Sequence, residues 1–243
     1  MKAPVIITGT PRSGLWLVAG AFEASGCFGG NLDLTMNHSS QFENIAIRDR
    51  LERPLLEGLG FEPRGFGHIP PTDQIEKVVP EIKDQWRSLV DYFFTTQHQP
   101  DTVERFIASQ VACLLWPLWH AAFPDASWII VRRRDPDILS SCRATGFVES
   151  RRPPTDICRR VRTDEELRLL IDGYKTRFDQ MRAAGLKVSE FWPQEIFDGQ
   201  LGTLQALLQA HDLPWRSEVA EYVRPFQWKH GTLRSEGVEH EIE

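Results

Sequence analysis

Two stretches of the chain carry residue types that could hold and use a compact anion. The first is Gly9-Thr10-Pro11-Arg12-Ser13-Gly14, set between an apolar run at 5–8 and a breaker-free apolar segment at 15–24. A glycine-bounded loop in that setting turns successive backbone N–H groups, and the positive end of a helix dipole, toward one point. Arg12 adds a planar, permanently charged fork inside the loop; a solvent-facing turn arginine is the plain alternative. Gly9 and Gly14 have the spacing of the common nucleotide loop, but Leu15 and Trp16 stand where a lysine and a magnesium-binding hydroxyl would follow. Magnesium nucleoside triphosphate chemistry, and with it a small-molecule kinase, is disfavoured.

The second stretch is the arginine run Arg132-Arg133-Arg134. Residues 132–162 hold nine arginines against four acids, in a chain whose net charge is −6. A locally positive segment in an acidic protein suits a confined anionic ligand better than a nucleic-acid surface, with a solvated helix face as the alternative for Arg159, Arg160 and Arg162. The four cysteines, at 27, 113, 142 and 158, have neither CxxC pairing nor a histidine at zinc spacing. Reduced thiols, no disulfide framework and no metal are expected. The N-terminal apolar run is too short for a secretory leader or a membrane span, so a cytoplasmic protein without membrane partners is expected.

The elements that must position these residues follow from apolar periodicity. Strands are predicted at 5–8, 106–108, 127–131 and 186–191, and helices at 15–24, 42–51, 111–122, 167–181 and 201–211. A helix over 75–93 should be interrupted by Pro80, 29–41 should be loop, and 54–71 should be irregular. Asp135 and Pro136 supply a cap and a first-turn proline for a helix after the third strand. Strands alternating with helices make an α/β protein, a three-layer fold with a central, mostly parallel sheet and a P-loop-like strand-loop-helix. One domain over 1–235 is expected, with an acidic frayed tail at 236–243.

Thr10-Pro11-Arg12-Ser13-Gly14 after the first strand, together with Phe123-Pro124-Asp125-Ala126-Ser127-Trp128-Ile129-Ile130-Val131 and the arginines after it, resembles the sulfotransferase family, its bacterial and phage-like branches most. The segment 115–124 is similar to the helix before the cofactor strand of that branch. The resemblance covers residues 4–24 and about 111–147 well and the rest loosely. It implies transfer of a sulfuryl group from 3′-phosphoadenosine 5′-phosphosulfate to a hydroxyl or amine of a small acceptor, without a metal, leaving 3′-phosphoadenosine 5′-phosphate.

The same resemblance implies residue roles. Pro11, Arg12, Ser13 and Gly14, with Leu15 and Trp16 behind them, would wrap the 5′-phosphosulfate, Arg12 neutralising charge on the bridging oxygen. Arg133 with Ser141 would take the 3′-phosphate, Arg134 with Ser141 being the alternative. Gln41-Phe42-Glu43-Asn44 resembles a glutamate-bearing segment of the bacterial branch, which makes Glu43 the candidate base and His38 the second candidate. Trp228-Lys229-His230-Gly231 resembles a basic loop that closes over the nucleotide, with a surface turn as the alternative for Lys229. Two departures stand out: Leu15-Trp16 replaces a hydroxyl pair, and Ala108-Ser109-Gln110-Val111 replaces a Lys-Asp-Pro-Arg stretch. They keep open a non-catalytic nucleotide-binding or scaffold protein. Phe61, Phe66, Trp86 and Phe94 are candidates for an acceptor pocket or for core.

Overall fold

The apolar run after Pro4 forms β1 (Val5–Gly9), and every one of its residues is buried. A computed structural model describes residues 2–34, 42–100, 103–144 and 163–224. Within it β1 pairs in parallel with β2 (Phe106–Ala108) on one side and β3 (Ser127–Val131) on the other, and β3 pairs in parallel with β4 (Lys187–Phe191). The sheet order is β2-β1-β3-β4. Ile6 faces Ile107 and Trp128, while Ile7 faces Ala108 and Ile129. Period-two alternation sends the first set to one apolar layer and the second to the other. Both faces are therefore covered, as the unbroken apolar runs require.

On one face lie α4 (Thr72–Thr96), α5 (Trp116–Ala122) and α7 (Asp164–Ala183); on the other lie α1 (Leu15–Ala24), α9 (Gly202–Gln209) and α10 (Ser217–Val223). This is the expected three-layer α/β arrangement, with all strand pairs parallel among the described residues. The chain leaves β1 toward β2 on one side and returns past it to β3 on the other. Loops at the carboxyl ends of β1 and β3 consequently diverge and open a crevice, the usual ligand position in such sheets.

Several local expectations change. Pro80 does not interrupt α4, which continues through it. Pro80 sits on the exposed side, so the carbonyl it leaves unpaired can bond water. The periodic segment at 111–122 is helical only from Trp116; residues 111–115 form tight turns, with Leu114 N–H donating to Val111 O at 2.9 Å. Pro117, in the first turn, favours a helix start there, and the apolar spacing reported burial rather than helix.

The expected helix at 42–51 is divided into α2 (Ile45–Ile47) and a π-helical turn, Arg48–Glu52, which runs on into α3 (Arg53–Gly58) inside the stretch read as irregular. Pro54, which has no N–H to offer the ladder, falls just after the register change. α6 (Asp135–Ala144) begins at Asp135, so Asp135 and Asp137 occupy the first turn. α8 (Gln194–Phe197) and α10 were not expected from the sequence. No helix among the described residues is long and apolar enough to cross a membrane. The tail at 236–243 lies outside the described residues.

Candidate functional site

The loop between β1 and α1 is fixed by two glycines for different reasons. A Cβ on Gly9 would lie 2.5 Å from Ser13 Oγ and 2.6 Å from the Val131 carbonyl, so only glycine lets the loop press against the end of β3. Gly14 takes a left-handed φ of 91°, which turns the chain into α1. Arg12 also has a positive φ, 65°, and Ser13 N–H donates to Thr10 O at 3.0 Å. The leading N–H groups of α1 face the loop as helix N-termini do, ready for an anion. Ser13 Oγ is buried there and has no hydrogen-bond partner among the described residues.

The arginine run is resolved side chain by side chain. Arg133 Nη1 donates to the Arg12 carbonyl at 2.9 Å, and Arg12 Nε donates to Ser141 Oγ at 2.9 Å. Arg134 turns away and pairs with Asp137 at 2.7 Å, while Arg132 lies over the rings of Phe178 and Trp192. Arg133, the first of the two alternatives, is the one at the loop. Burial, and for Arg12 the neighbouring Arg133, lowers the proton affinity of both guanidinium groups, which nonetheless stay charged. The buried Cys142 thiol beside them is pushed up to about 11 and remains neutral.

Facing this cluster is Glu43. Thr10, Arg12, Ser13, Gly14, Leu15, Trp16, Glu43, Gln110 and Arg133 line one small cavity of about 60 Å³, open to solvent. Two backbone bonds between the Asp33 and Phe42–Glu43 segments, Asp33 N–H to Glu43 O at 3.0 Å and Phe42 N–H to Asp33 O at 3.3 Å, bring Glu43 to it. Asn44 then caps α2, accepting from Ala46 N–H and Ile47 N–H. Arg48 Nη1 lies 2.7 Å from Asp33 and 3.5 Å from Glu43, so the tight pair is with Asp33. Burial raises the Glu43 pKa, with Arg48 and Arg53 opposing the rise.

Pro11 is buried behind the loop. Leu15 packs in the apolar layer, and Trp16 is half-buried at the cavity with its carbonyl accepting from Tyr222 O–H at 3.0 Å. The donors that remain in the loop after the Leu15-Trp16 replacement are the backbone, the Thr10 and Ser13 hydroxyls and the Arg12 guanidinium. Phe66, Trp86 and Phe94 belong to the core, Phe61 packs against it, and none of the four lines the cavity. His38 and Lys229 lie outside the described residues.

Two structures share this architecture. The sulfotransferase STF1 of Mycobacterium tuberculosis superposes with a TM-score of 0.51 at 12% identity, over 94% of this chain and 72% of that one. The fold is that of the sulfotransferases. The sulfotransferase STF9 of Mycobacterium avium gives a TM-score of 0.56 at 13% identity, over 96% and 69%. No protein-family model and no curated protein sequence matches the chain. In this sulfotransferase fold the loop after β1 and the arginine after β3 occupy the crevice together.

Sequence reasoning gave no role to Asn44, Arg48 or Glu52, and Gln110 appeared only as a departure. Asn44 carried a signal, an N-cap residue type immediately before the apolar Ile45 and Ile47. Arg48, Glu52 and Gln110 carried none, because their importance comes from contacts across the fold.

Proposed function

We propose that the chain is a sulfotransferase that moves a sulfuryl group from 3′-phosphoadenosine 5′-phosphosulfate to a hydroxyl or amine of a small acceptor, in the cytoplasm, from a single domain over 1–235. The observation that carries this reading is the meeting of Arg12, Ser13, Arg133 and Glu43 around one cavity. The residues present fit a donor with two anionic groups: an orphaned buried hydroxyl at Ser13, and two partly buried cations held side by side at Arg12 and Arg133. The Ser13 hydroxyl gains from such a ligand, since an unmatched buried polar group costs about 1–3 kcal/mol.

Ser13, Arg12 and the N–H groups of the loop would hold the phosphosulfate, and Arg133 with Ser141 the 3′-phosphate. The donor, when bound, supplies the activated sulfuryl group and a bisphosphate leaving group. Arg12 keeps a fixed positive charge where negative charge grows on the leaving oxygen. Glu43, whose raised pKa brings it closer to neutrality, takes the proton of the attacking hydroxyl or amine. No residue of the proposed mechanism requires a metal.

The deciding experiment is a thermal melt with 3′-phosphoadenosine 5′-phosphate. A ligand at 100 times its Kd should stabilise the native state by about 2.7 kcal/mol. An unchanged Tm at millimolar bisphosphate overturns the donor assignment. Labelled donor incubated with a panel of phenols, alcohols and amines then tests transfer, and binding without transfer to any of them would favour a scaffold role.

A further inference from the structure

Glu52 is a carboxyl that no step above uses. It closes the π-helical turn, is 1% exposed, and has both oxygens engaged: Ser109 Oγ–H donates to Oε2 at 2.7 Å and Trp119 Nε1–H to Oε1 at 3.1 Å. A buried carboxyl is costly to keep and is normally matched by a cation. Here the direct partners are a hydroxyl and an indole. Its position makes sense of that cost, because Ser109 immediately precedes Gln110, which lines the cavity beside Glu43. Ser109 N–H also bonds the Ile7 carbonyl of β1 at 2.9 Å, and the Gln110 carboxamide donates to the Arg64 carbonyl. The Gln110 carbonyl in turn meets Thr8 Oγ1, at 3.4 Å. The Gln110 wall of the cavity is thus held from behind, and Glu52 is the side chain that grips Ser109 next to it.

We propose that Glu52 is a positioning residue of this site: from outside the cavity it holds Ser109, and through Ser109 the Gln110 wall that stands beside Glu43. The π-helical turn is what brings it there. One widened turn after α2 shifts the register so that Glu52, at its end, enters the core against α5.

The charged and titratable groups around Glu52 are Glu43 and Arg53 on its own segment and Cys113 on the turn before α5. Burial, reinforced by Glu43 and opposed by Ser109, Trp119 and Arg53, pushes the Glu52 carboxyl up to about 8. Cys113 is pushed up to about 12 and does not change charge in that range. Below about pH 8 the clamp is a neutral acid, and above it a buried anion stands behind the cavity. The clamp therefore has a signature that mere packing lacks.

The assignment rests on the cavity being an anion site, but its first test needs no ligand. In ¹⁵N spectra of the full chain, the Trp119 indole N–H and the Gln110 carboxamide should shift together between pH 6.5 and 9.5, about a midpoint near 8, and neither should shift in Glu52→Gln. A Trp119 signal that titrates while Gln110 stays still overturns the proposal, as does a Gln110 titration that persists in Glu52→Gln. Affinity for 3′-phosphoadenosine 5′-phosphate, measured by calorimetry, should fall severalfold above pH 8 in the parent protein and stay level in Glu52→Gln. Glu52→Ala should bind more weakly at every pH, with glutamine recovering most of the loss below pH 8; equal binding by Glu52→Ala and the parent overturns the proposal. Co-titration of Trp119 and Gln110 in a protein that binds no bisphosphate would support the clamp while removing the donor assignment.

Discussion

Arg12 Nε donates to Ser141 Oγ at 2.9 Å, although the two residues stand 129 positions apart in the chain. Arg133 joins them through the Arg12 carbonyl. The loop after β1 and helix α6 after β3 are thereby tied at one end of the sheet, with Arg12 in the left-handed region at φ 65°. Two partly buried cations stand side by side in this arrangement.

Arg12→Ala and Arg133→Ala should each weaken 3′-phosphoadenosine 5′-phosphate binding about 10- to 100-fold, the equivalent of a charge-assisted hydrogen bond of about 1.5–3 kcal/mol. Ser141→Ala should cost less, since it removes a neutral partner. Titration calorimetry checks all three, and equal affinities across the set would place the phosphate elsewhere.

Ser13→Ala separates ligand binding from folding. Its Oγ has no hydrogen-bond partner among the described residues, so removing it should leave stability unchanged or slightly higher. Bisphosphate affinity should still fall, by about threefold to tenfold, the size of one neutral hydrogen bond. Urea denaturation and calorimetry on the same sample give the two readings.

Gly9→Ala tests the packing of the loop on β3. The added methyl would meet Ser13 Oγ at 2.5 Å and the Val131 carbonyl at 2.6 Å. Ser13 can rotate but the strand carbonyl cannot, so a loss of about 1–3 kcal/mol in urea denaturation is expected.

Glu43→Gln should leave bisphosphate affinity within a few-fold of the parent and lower sulfuryl transfer by about 10²- to 10⁴-fold, the usual share of a general base. The pH dependence follows from the raised pKa of Glu43. A base must be ionised, so transfer should rise with pH through that raised value and level off above it. The limb should disappear in Glu43→Gln, and its persistence would assign the base to another group.

Glu52→Gln should change the pH dependence of folding. A carboxyl whose folded pKa is raised to about 8 from 4.5 binds its proton more tightly in the native state, so its favourable share of stability is complete below about pH 4.5 and is lost as pH rises through 8. At pH 9 the glutamine variant should gain on the parent by about 1–4 kcal/mol, since each tenfold difference in proton affinity between the folded and unfolded chain is worth about 1.4 kcal/mol. At pH 4 that gain should vanish. Denaturation curves at the two pH values make the comparison.

The bounds of β2 and β3 match the sequence reading and those of β1 lie within one residue of it, because a strand covered on both faces must be apolar at successive positions, while β4, mostly exposed at the end of the sheet order, also lies within one residue. Helix ends were legible where a cap or breaker acts locally and illegible where burial imitates periodicity. The segment before Trp116 shows this: Val111, Leu114 and Leu115 are buried at helical spacing on turns. Pro80 shows the converse, a breaker tolerated because its unpaired carbonyl faces water.

By itself the sequence determined the loop from Gly9 to Gly14 and the strand and helix on either side, since glycine spacing and apolar runs act over a few residues. It also brought Arg133 and Arg134 to the end of a strand, but the choice between them depended on neighbours. Asp137 draws Arg134 outward, and the Arg12 carbonyl holds Arg133 at the loop. Only the tertiary structure brought Glu43 to the same cavity and buried Glu52 behind it. Those placements depend on which strands lie side by side and on a π-helical register shift, and distances set by long-range packing leave no trace in local residue patterns.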